Sequence, residues 1–330
     1  MAIKKVGIDI GSQSIAVYLQ GKGVILREPT QIALDINTKK PLSYGREAVT
    51  LSRRTPGSVL MTSPVFEGSV TDYESMGLIL DSMFRGNGLA KSEIIVSLNS
   101  SINDAEKRAI AQMFFETGAK AVSCLDIPTA CVLGSGESLS DDRATISLDI
   151  GAGVTEVGLV KGCVTKFSQV VKYGCAKLDA TIATLIKKNY NAGVDEPTLR
   201  MIREKVGSVH SSFDAGSVEF TARDLVTGLP VTLSISSAET MEAMLPVAKY
   251  IAAFTAALCK SLPEAVKAEV AERGILLSGG GALTGGMDVL VAETTGISTR
   301  VSGAATECVI NGIGTVIENA NVFGVLLKEI

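Results

Sequence analysis

The chain has 330 residues, 46% of them hydrophobic and 20% charged, with 33 Gly and only 9 Pro. This balance excludes a disordered or fibrous chain, and the length provides for about two to three compact units, each with its own core. The formal net charge is −4, yet residues 1 to 60 carry nine Lys or Arg against four Asp or Glu, so one end is locally basic.

In chain order, Met1-Ala2-Ile3-Lys4-Lys5 passes straight into a strand with no secretory apolar region, and no apolar run reaches the length of a membrane span. A cytoplasmic protein is expected. Val6 to Leu19, VGIDIGSQSIAVYL, reads as strand, tight turn, strand, and the turn Gly21-Lys22-Gly23 leads into a third strand. Residues 30–72, with Pro, Arg and turn signals, read as a small insertion. A strand at Glu93 to Asn99, a helix at Asp104 to Thr117, a strand at Ala121 to Asp126 and a helix beginning at Thr129 follow.

Ser147 to Val160, SLDIGAGVTEVGLV, repeats the first pattern, with Asp-Ile-Gly again between two apolar runs, and Lys161-Gly162 leads into another strand. A second insertion, residues 180–240, holds a helix and the strand-like runs Ser217 to Ala222 and Leu229 to Ser236. A strand at Ile275 to Ser278, a helix at Thr284 to Thr295, a strand at Thr299 to Ser302 and a helix at Ala304 to Glu318 complete the second half. Each half is therefore a meander followed by βαβα, an α/β pattern that predicts mixed sheets flanked by helices. The expected division is a first lobe core of residues 1–29 and 73–143, with 304–330 packing back on it, and a second of 144–179 and 241–303. Residues 30–72 and 180–240 form the small inserted subdomains. The six cysteines form no CxxC pair and are assigned neither disulfides nor metal, and the one histidine, His210, reads as a surface residue at a helix end without a role.

An Asp-x-Gly turn between strands suits a triphosphate, because Gly lets the backbone approach and successive N–H groups can point at anionic oxygens. Asp9 and Asp149 are then expected to face each other across a cleft and to hold Mg²⁺ through its waters. A plainer reading of either turn alone is a hairpin with a capping Asp. Gly279-Gly280-Gly281, after a strand and before a helix, permits close approach of a ligand; a flexible connecting loop is the plainer reading there.

Together and in this order, GIDIGSQS, LDIGAGVTEV and GILLSGGGALTGGMD resemble the two phosphate motifs and the adenosine motif of the actin, sugar-kinase and heat-shock chaperone superfamily. GKGVILREPTQIALD, NDAEKRAI and TGLPVTLSISSAE extend the similarity, over nearly the whole chain, to the MreB family of bacterial actins. The resemblance implies an actin-like two-lobed fold, a duplicated ribonuclease-H-like core with two small inserted subdomains. It implies ATP and Mg²⁺ as cofactors, with Asp9, Gly11, Ser12 and Gln13 in the first phosphate loop, Gly151, Ala152 and Gly153 in the second, and Gly279, Gly280 and Gly281 at the adenosine. Asp9 and Asp149 are the metal carboxylates. Arg203 and Glu204 fall in the segment flanking the base, where the usual Glu-x-x-Lys spacing is altered to Arg200 and Arg203.

Three departures bear on hydrolysis. Asp126-Ile127-Pro128 stands where the family commonly has Glu-Glu-Pro, Gly151-Ala152-Gly153-Val154-Thr155 replaces Gly-Gly-Gly-Thr-Thr, and Ser12-Gln13-Ser14-Ile15 replaces Thr-Ala-Asn-Thr. The catalytic candidates are Asp149, Asp126 and Thr155. The expected function is a filament-forming cytoskeletal protein for cell shape or intracellular positioning, at most a slow ATPase. The alternative is a small-molecule kinase of the same superfamily, for which no substrate-activating carboxylate is evident. The expected partners are further copies of the chain in paired protofilaments, an anionic membrane surface and membrane-bound morphogenesis proteins; nucleic acid is not expected.

Overall fold

A computed structural model describes residues 3–55, 57–136 and 142–330; Met1 and Ala2, Pro56 of the first insertion and residues 137–141 lie outside the described residues. The first copy of the repeat begins with the meander β1 (Lys5–Ile10), β2 (Ser14–Leu19) and β3 (Gly23–Pro29). β4 (Ile32–Asp35), β5 (Pro41–Tyr44), α1 (Gly45–Arg54) and β6 (Val59–Thr62) make a small sheet of order β5-β4-β6 with one helix, and β7 (Val65–Phe66) and β8 (Ser69–Val70) form a short hairpin. α2 (Tyr73–Asn87), β9 (Glu93–Leu98), α3 (Asp104–Glu116), β10 (Ala121–Asp126) and α4 (Ile127–Gly134) follow. Side-chain caps fix where α2 and α3 begin. Asp72 accepts from Ser75 N, and Asn103 with Glu106 forms a capping box at α3, satisfying N–H groups that the helix itself leaves unpaired.

The second copy opens with β11 (Thr145–Ile150), β12 (Thr155–Lys161) and β13 (Val164–Val171). α5 (Cys175–Tyr190), β14 (Ala192–Gly193), α6 (Glu196–Val206), β15 (Ser217–Asp224) and β16 (Pro230–Ser236) lead to α7 (Ser237–Ser261) and α8 (Glu264–Arg273). β17 (Ile275–Ser278), α9 (Met287–Thr295), β18 (Thr299–Val301), α10 (Cys308–Glu318), α11 (Ala320–Phe323) and β19 (Lys328–Glu329) complete the chain. The main sheets run β19-β10-β9-β1-β2-β3 and β13-β12-β11-β17-β18.

Two compact units result. One comprises Met1–Asp142, Val160–Val170 and Thr306–Ile330, and the other Arg143–Leu159 and Val171–Ala305. In the first unit, helices cover both faces of the central strands, so β1 and β9 are near-continuous apolar runs. Val6, Ile8, Ile94 and Val96 face a cluster with Phe84 of α2 and Phe114 of α3, whose ring centroids are 6.0 Å apart. Ala16, Ile95 and Leu125 face α4 and α10. These two helices cross at Gly134 and Gly312, where a Cβ would strike backbone atoms of Cys308 and Ala130 respectively, so glycine is what permits the close crossing.

Two sequence expectations are corrected. The helix expected from Thr284 begins only at Met287, because Gly286 adopts φ +77° and the preceding Gly280–Leu283 forms a tight 3₁₀ turn. α7 is, among the described residues, a helix long and apolar enough to cross a membrane, contrary to the expectation that no such run exists. It is buried instead along Met244, Ala248, Ile251, Ala252 and Thr255, in the core of the second unit. His210 lies in the loop after α6, at the helix end where the sequence placed it, with Nε2 3.2 Å from Glu293 of α9 and Nδ1 2.7 Å from Ser212 Oγ.

Candidate functional site

The two Asp-x-Gly turns have the same local construction. Gly11 N donates to Ser14 O at 3.0 Å, and Gly151 N donates to Val154 O at 2.9 Å, each closing the turn between the first two strands of its copy. A Cβ on Gly11 would sit 3.0 Å from Ser14 O and one on Gly151 3.1 Å from Val154 O, so a larger residue would crowd the turn. Among the described residues the amides of Ser12, Ala152 and Gly153 make no hydrogen bond within the chain, which leaves them as donors for an anion.

The carboxylates are also held alike. Asp9 Oδ1 accepts from Ser97 Oγ at 2.7 Å, and Asp149 Oδ1 accepts from Ser278 Oγ at 2.9 Å. In both cases the Ser is the register partner of the Asp on the adjoining parallel strand: Asp9 with Ser97 of β9, Asp149 with Ser278 of β17. Burial pushes the Asp9 carboxyl up from its ordinary value, with the Ser97 hydroxyl and the Arg27 guanidinium opposing the rise. The sequence reading missed both serines; their only signal was a polar residue at the carboxyl end of an apolar strand, in VSLN and in LLSG.

Each loop is anchored by its surroundings. Thr30, fully buried, donates through Oγ1 to Gly11 O at 2.7 Å and through its amide to Gln13 O at 3.0 Å. Ser12 Oγ accepts from Gly68 N at 3.1 Å, and Gly68 O accepts from Asn99 Nδ2 at 2.8 Å, so the β7–β8 hairpin supports the first loop. In the second loop, Gly151 O and Ala152 O accept from Cys175 N and Ala176 N at 3.0 and 2.9 Å, placing the turn on the first residues of α5. Gly174 makes this approach possible, since its Cβ would come within 2.6 Å of Gly151 O.

The glycine triplet divides by role. A Cβ on Gly279 would strike Ile150 O and lie 3.0 Å from Asp149 Oδ1, and one on Gly281 would strike the Ile150 side chain. At Gly280 the nearest neighbour is Cys175 Sγ, at 3.8 Å. Gly279 and Gly281 are thus required by packing against β11, whereas Gly280 has its open side available. The Cys175 thiol is pushed up to about 11 by burial, which makes it an inert packing group.

The remaining candidates are committed elsewhere to different degrees. Asp126 is ion-paired to Lys328, whose Nζ lies 2.9 and 2.6 Å from its two oxygens. β10 pairs Leu125 with Ser97 and Asp126 with Leu98, so strand alternation directs Asp126 to the face of the sheet opposite Asp9. Thr155 is fully buried and donates Oγ1 to Tyr173 O at 2.7 Å. Arg203, 4% exposed, donates Nε to Asp179 Oδ1 at 2.7 Å, a buried pair between α6 and α5, while Glu204 beside it is exposed. Ile127 lines a cavity of about 30 Å³ with Ile10, Ser97, Leu98 and Ile110.

The donor set suits a hydrated hard cation. Among the described residues no three His, Cys, Asp or Glu side chains cluster as a metal cage, whereas Mg²⁺ typically keeps most of its waters and takes one or two carboxylates with phosphate oxygens. Asp9 Oδ2 makes no hydrogen bond among the described residues, and Asp149 Oδ2 lies on the Gly151 side of its carboxylate.

A duplicated meander with βαβα, with an Asp-x-Gly turn closing the first strand of each copy, defines an actin-like two-lobed protein. Solved structures share that fold: MreB5 of Spiroplasma citri bound to ADP superposes with a TM-score of 0.90 at 23% identity over 98% of both chains. A MamK double helical filament gives 0.81 at 17%, over 96% of this chain and 99% of that one. The MreB/Mbl protein family model matches residues 3–324, and the chain belongs to that family. It is 30% identical to the cell shape-determining protein Mbl of Bacillus cereus over 97% of both chains. It is 28% identical to the cell shape-determining protein MreB of Escherichia coli, over 96% of this chain and 94% of that one. The resemblance read from the motifs is borne out.

Proposed function

We propose that this protein binds ATP with Mg²⁺ and assembles into cytoplasmic filaments that scaffold cell shape or intracellular positioning. The observation that carries the reading is the duplicated half-site: the same closed glycine turn and the same serine-held carboxylate occur in both copies of the repeat. In this reading the amides of Ser12, Ala152 and Gly153 meet phosphate oxygens, Asp9 and Asp149 orient metal-bound waters, and the backbone of Gly279, Gly280 and Gly281 approaches the adenosine. Exposed Glu204 is available to the base. Bound Mg²⁺ would neutralise the charge that gathers on the phosphates.

The relatives support this reading. MreB5 of Spiroplasma citri is seen with ADP and with AMPPNP, MamK forms a double helical filament, and Mbl and MreB determine cell shape. Family membership favours the filament over the small-molecule kinase. Sedimentation tests the choice: with ATP and Mg²⁺ the protein is expected to pellet above a critical concentration. Protein that stays monomeric and phosphorylates an added small molecule would overturn the proposal.

Two surfaces bear on partners. Phe115 of α3 stands 41% exposed beside the buried stripe of Ile110, Met113 and Phe114, and is proposed as part of a lateral contact between paired protofilaments. Phe115→Ser is expected to weaken pairing while leaving the melting temperature of the monomer almost unchanged. Normal pairing in electron micrographs of that variant would remove Phe115 from the contact.

Lys39, Lys40, Arg46, Arg53 and Arg54 are exposed near exposed Leu42 and Leu60, a surface suited to anionic headgroups and, with them, membrane-bound morphogenesis proteins. Binding to anionic vesicles is expected to be weak and to vanish as salt is raised. Flotation unchanged at high salt would contradict it.

A further inference from the structure

We propose that Ser97 and Ser278 are positioning residues, each fixing, within its own unit, the orientation of the carboxylate of its cross-strand Asp toward a hydrated, nucleotide-bound cation. The inference rests on the reading that Asp9 and Asp149 serve Mg²⁺, and adds two residues to that site.

A serine at the end of a buried strand must satisfy its own hydroxyl, and one Ser–Asp hydrogen bond would need no further account. Here the bond is made twice. The serines lie in unrelated local sequences, IIVSLN and ILLSGG, and share only their place in the fold: the register position beside the Asp on the parallel strand next to the first strand of the repeat. Ser97 is 3% exposed and Ser278 fully buried, so neither hydroxyl is a general surface donor. Both donate to the Oδ1 atom, at 2.7 and 2.9 Å.

An Asp side chain rotates about two torsions, and a carboxylate that would hold a hydrated cation through its waters must keep its orientation, so a small rotation would weaken that hold. A donor fixed to a neighbouring strand removes that freedom. It also supplies one hydrogen bond to a carboxylate that its surroundings desolvate, as they do Asp9. Groups of this kind, which touch the ligand carboxylate but not the metal, typically change metal affinity about 10–100-fold when removed.

The test is a Mg²⁺ titration of nucleotide affinity, read with a fluorescent ATP analogue, alongside affinity in EDTA and the melting temperature without nucleotide. Ser97→Ala and Ser278→Ala are each expected to raise the half-saturating Mg²⁺ concentration by about tenfold or more. Affinity in EDTA should stay within about twofold of the parent by the same argument, because the amide and glycine contacts are untouched. Ser97→Thr and Ser278→Thr, which keep the hydroxyl, should lie near the parent; an alanine variant that fails to fold is then judged by the threonine variant and by Ser→Cys, a weaker donor expected to fall between.

Asp9→Asn separates the two levels of the argument. If Asp9→Asn loses the Mg²⁺ dependence while both alanine variants keep the parental midpoint, the positioning role is wrong and the metal site stands. If Asp9→Asn itself keeps the parental midpoint, the reading of the metal site fails. Equal losses with and without Mg²⁺ in the alanine variants would reduce the serines to packing groups and overturn the inference.

Discussion

Steady-state phosphate release from this protein is expected to be very slow, and Ile127→Glu combined with Val154→Thr is expected to raise it by about 10²–10³-fold, the usual worth of one well-placed transition-state contact. In-line attack on a γ-phosphate needs an oriented water as well as a charged clamp. Asp9 and Asp149, which the family resemblance assigns to that clamp, are each held by a serine hydroxyl, but the positions that it assigns to water orientation hold Ile127, which can neither donate nor accept, and Val154, which lacks a hydroxyl. The two polar neighbours are poor substitutes. Thr155 spends its proton on Tyr173 O, and Asp126 is directed to the other face of the sheet from Asp9 and is held there by Lys328. Lys328→Met supplies the control. It frees the Asp126 carboxylate, and the rate is expected to remain low; a large rise in that variant would make Asp126 the orienting acid. Parent protein that already hydrolyses as fast as the double variant would end the argument. Assembly of the parent is then expected to follow ATP binding rather than turnover, so AMPPNP should support pelleting as well as ATP does.

Gly279→Ala is expected to destabilise the nucleotide-free protein by about 2–5 kcal/mol, the sum of an unfavourable backbone conformation and overpacking. Gly279 sits at φ +78°, ψ 170°, a region open almost only to glycine, and its Cβ would meet Ile150 O, a backbone atom that cannot turn aside. Gly281→Ala should cost about 1–3 kcal/mol, since it strikes the Ile150 side chain, which can shift at the expense of its own packing. Gly280→Ala is the informative contrast. Its nearest neighbour is 3.8 Å away, an ordinary contact, so stability should change by about 0.5 kcal/mol or less, while ATP affinity is expected to fall if the added methyl occupies the side on which the proposed nucleotide would approach. Urea unfolding and nucleotide titration of the three variants check this ordering. A Gly280→Ala protein with parental affinity would take the triplet out of the binding site and leave it a packing device.

The sequence by itself determined the repeat, the elements and the turns, because those depend on local patterns. VGIDIGSQSIAVYL and SLDIGAGVTEVGLV each fold as strand, Gly turn and strand, and Ala121–Asp126 and Ile275–Ser278 are strands with the expected bounds, since apolar runs broken by Gly carry their own signal. It went wrong where a local pattern was overridden: the helix expected from Thr284 could not start before Met287 against the left-handed Gly286, and α7 is apolar as a membrane span is apolar but is used as a core helix. Only the tertiary structure decided the partners of the site. Ser97 reaches Asp9 across 88 residues of chain and Ser278 reaches Asp149 across 129, pairs set by which strands lie side by side and in what register. Lys328 finds Asp126 across 202 residues because β19 adds to the free edge of β10, and Arg203 finds Asp179 because α6 packs on α5. No periodicity encodes such pairings: a residue's neighbours along the chain fix its element and its face, while its neighbours across the sheet are chosen by the packing of the whole unit.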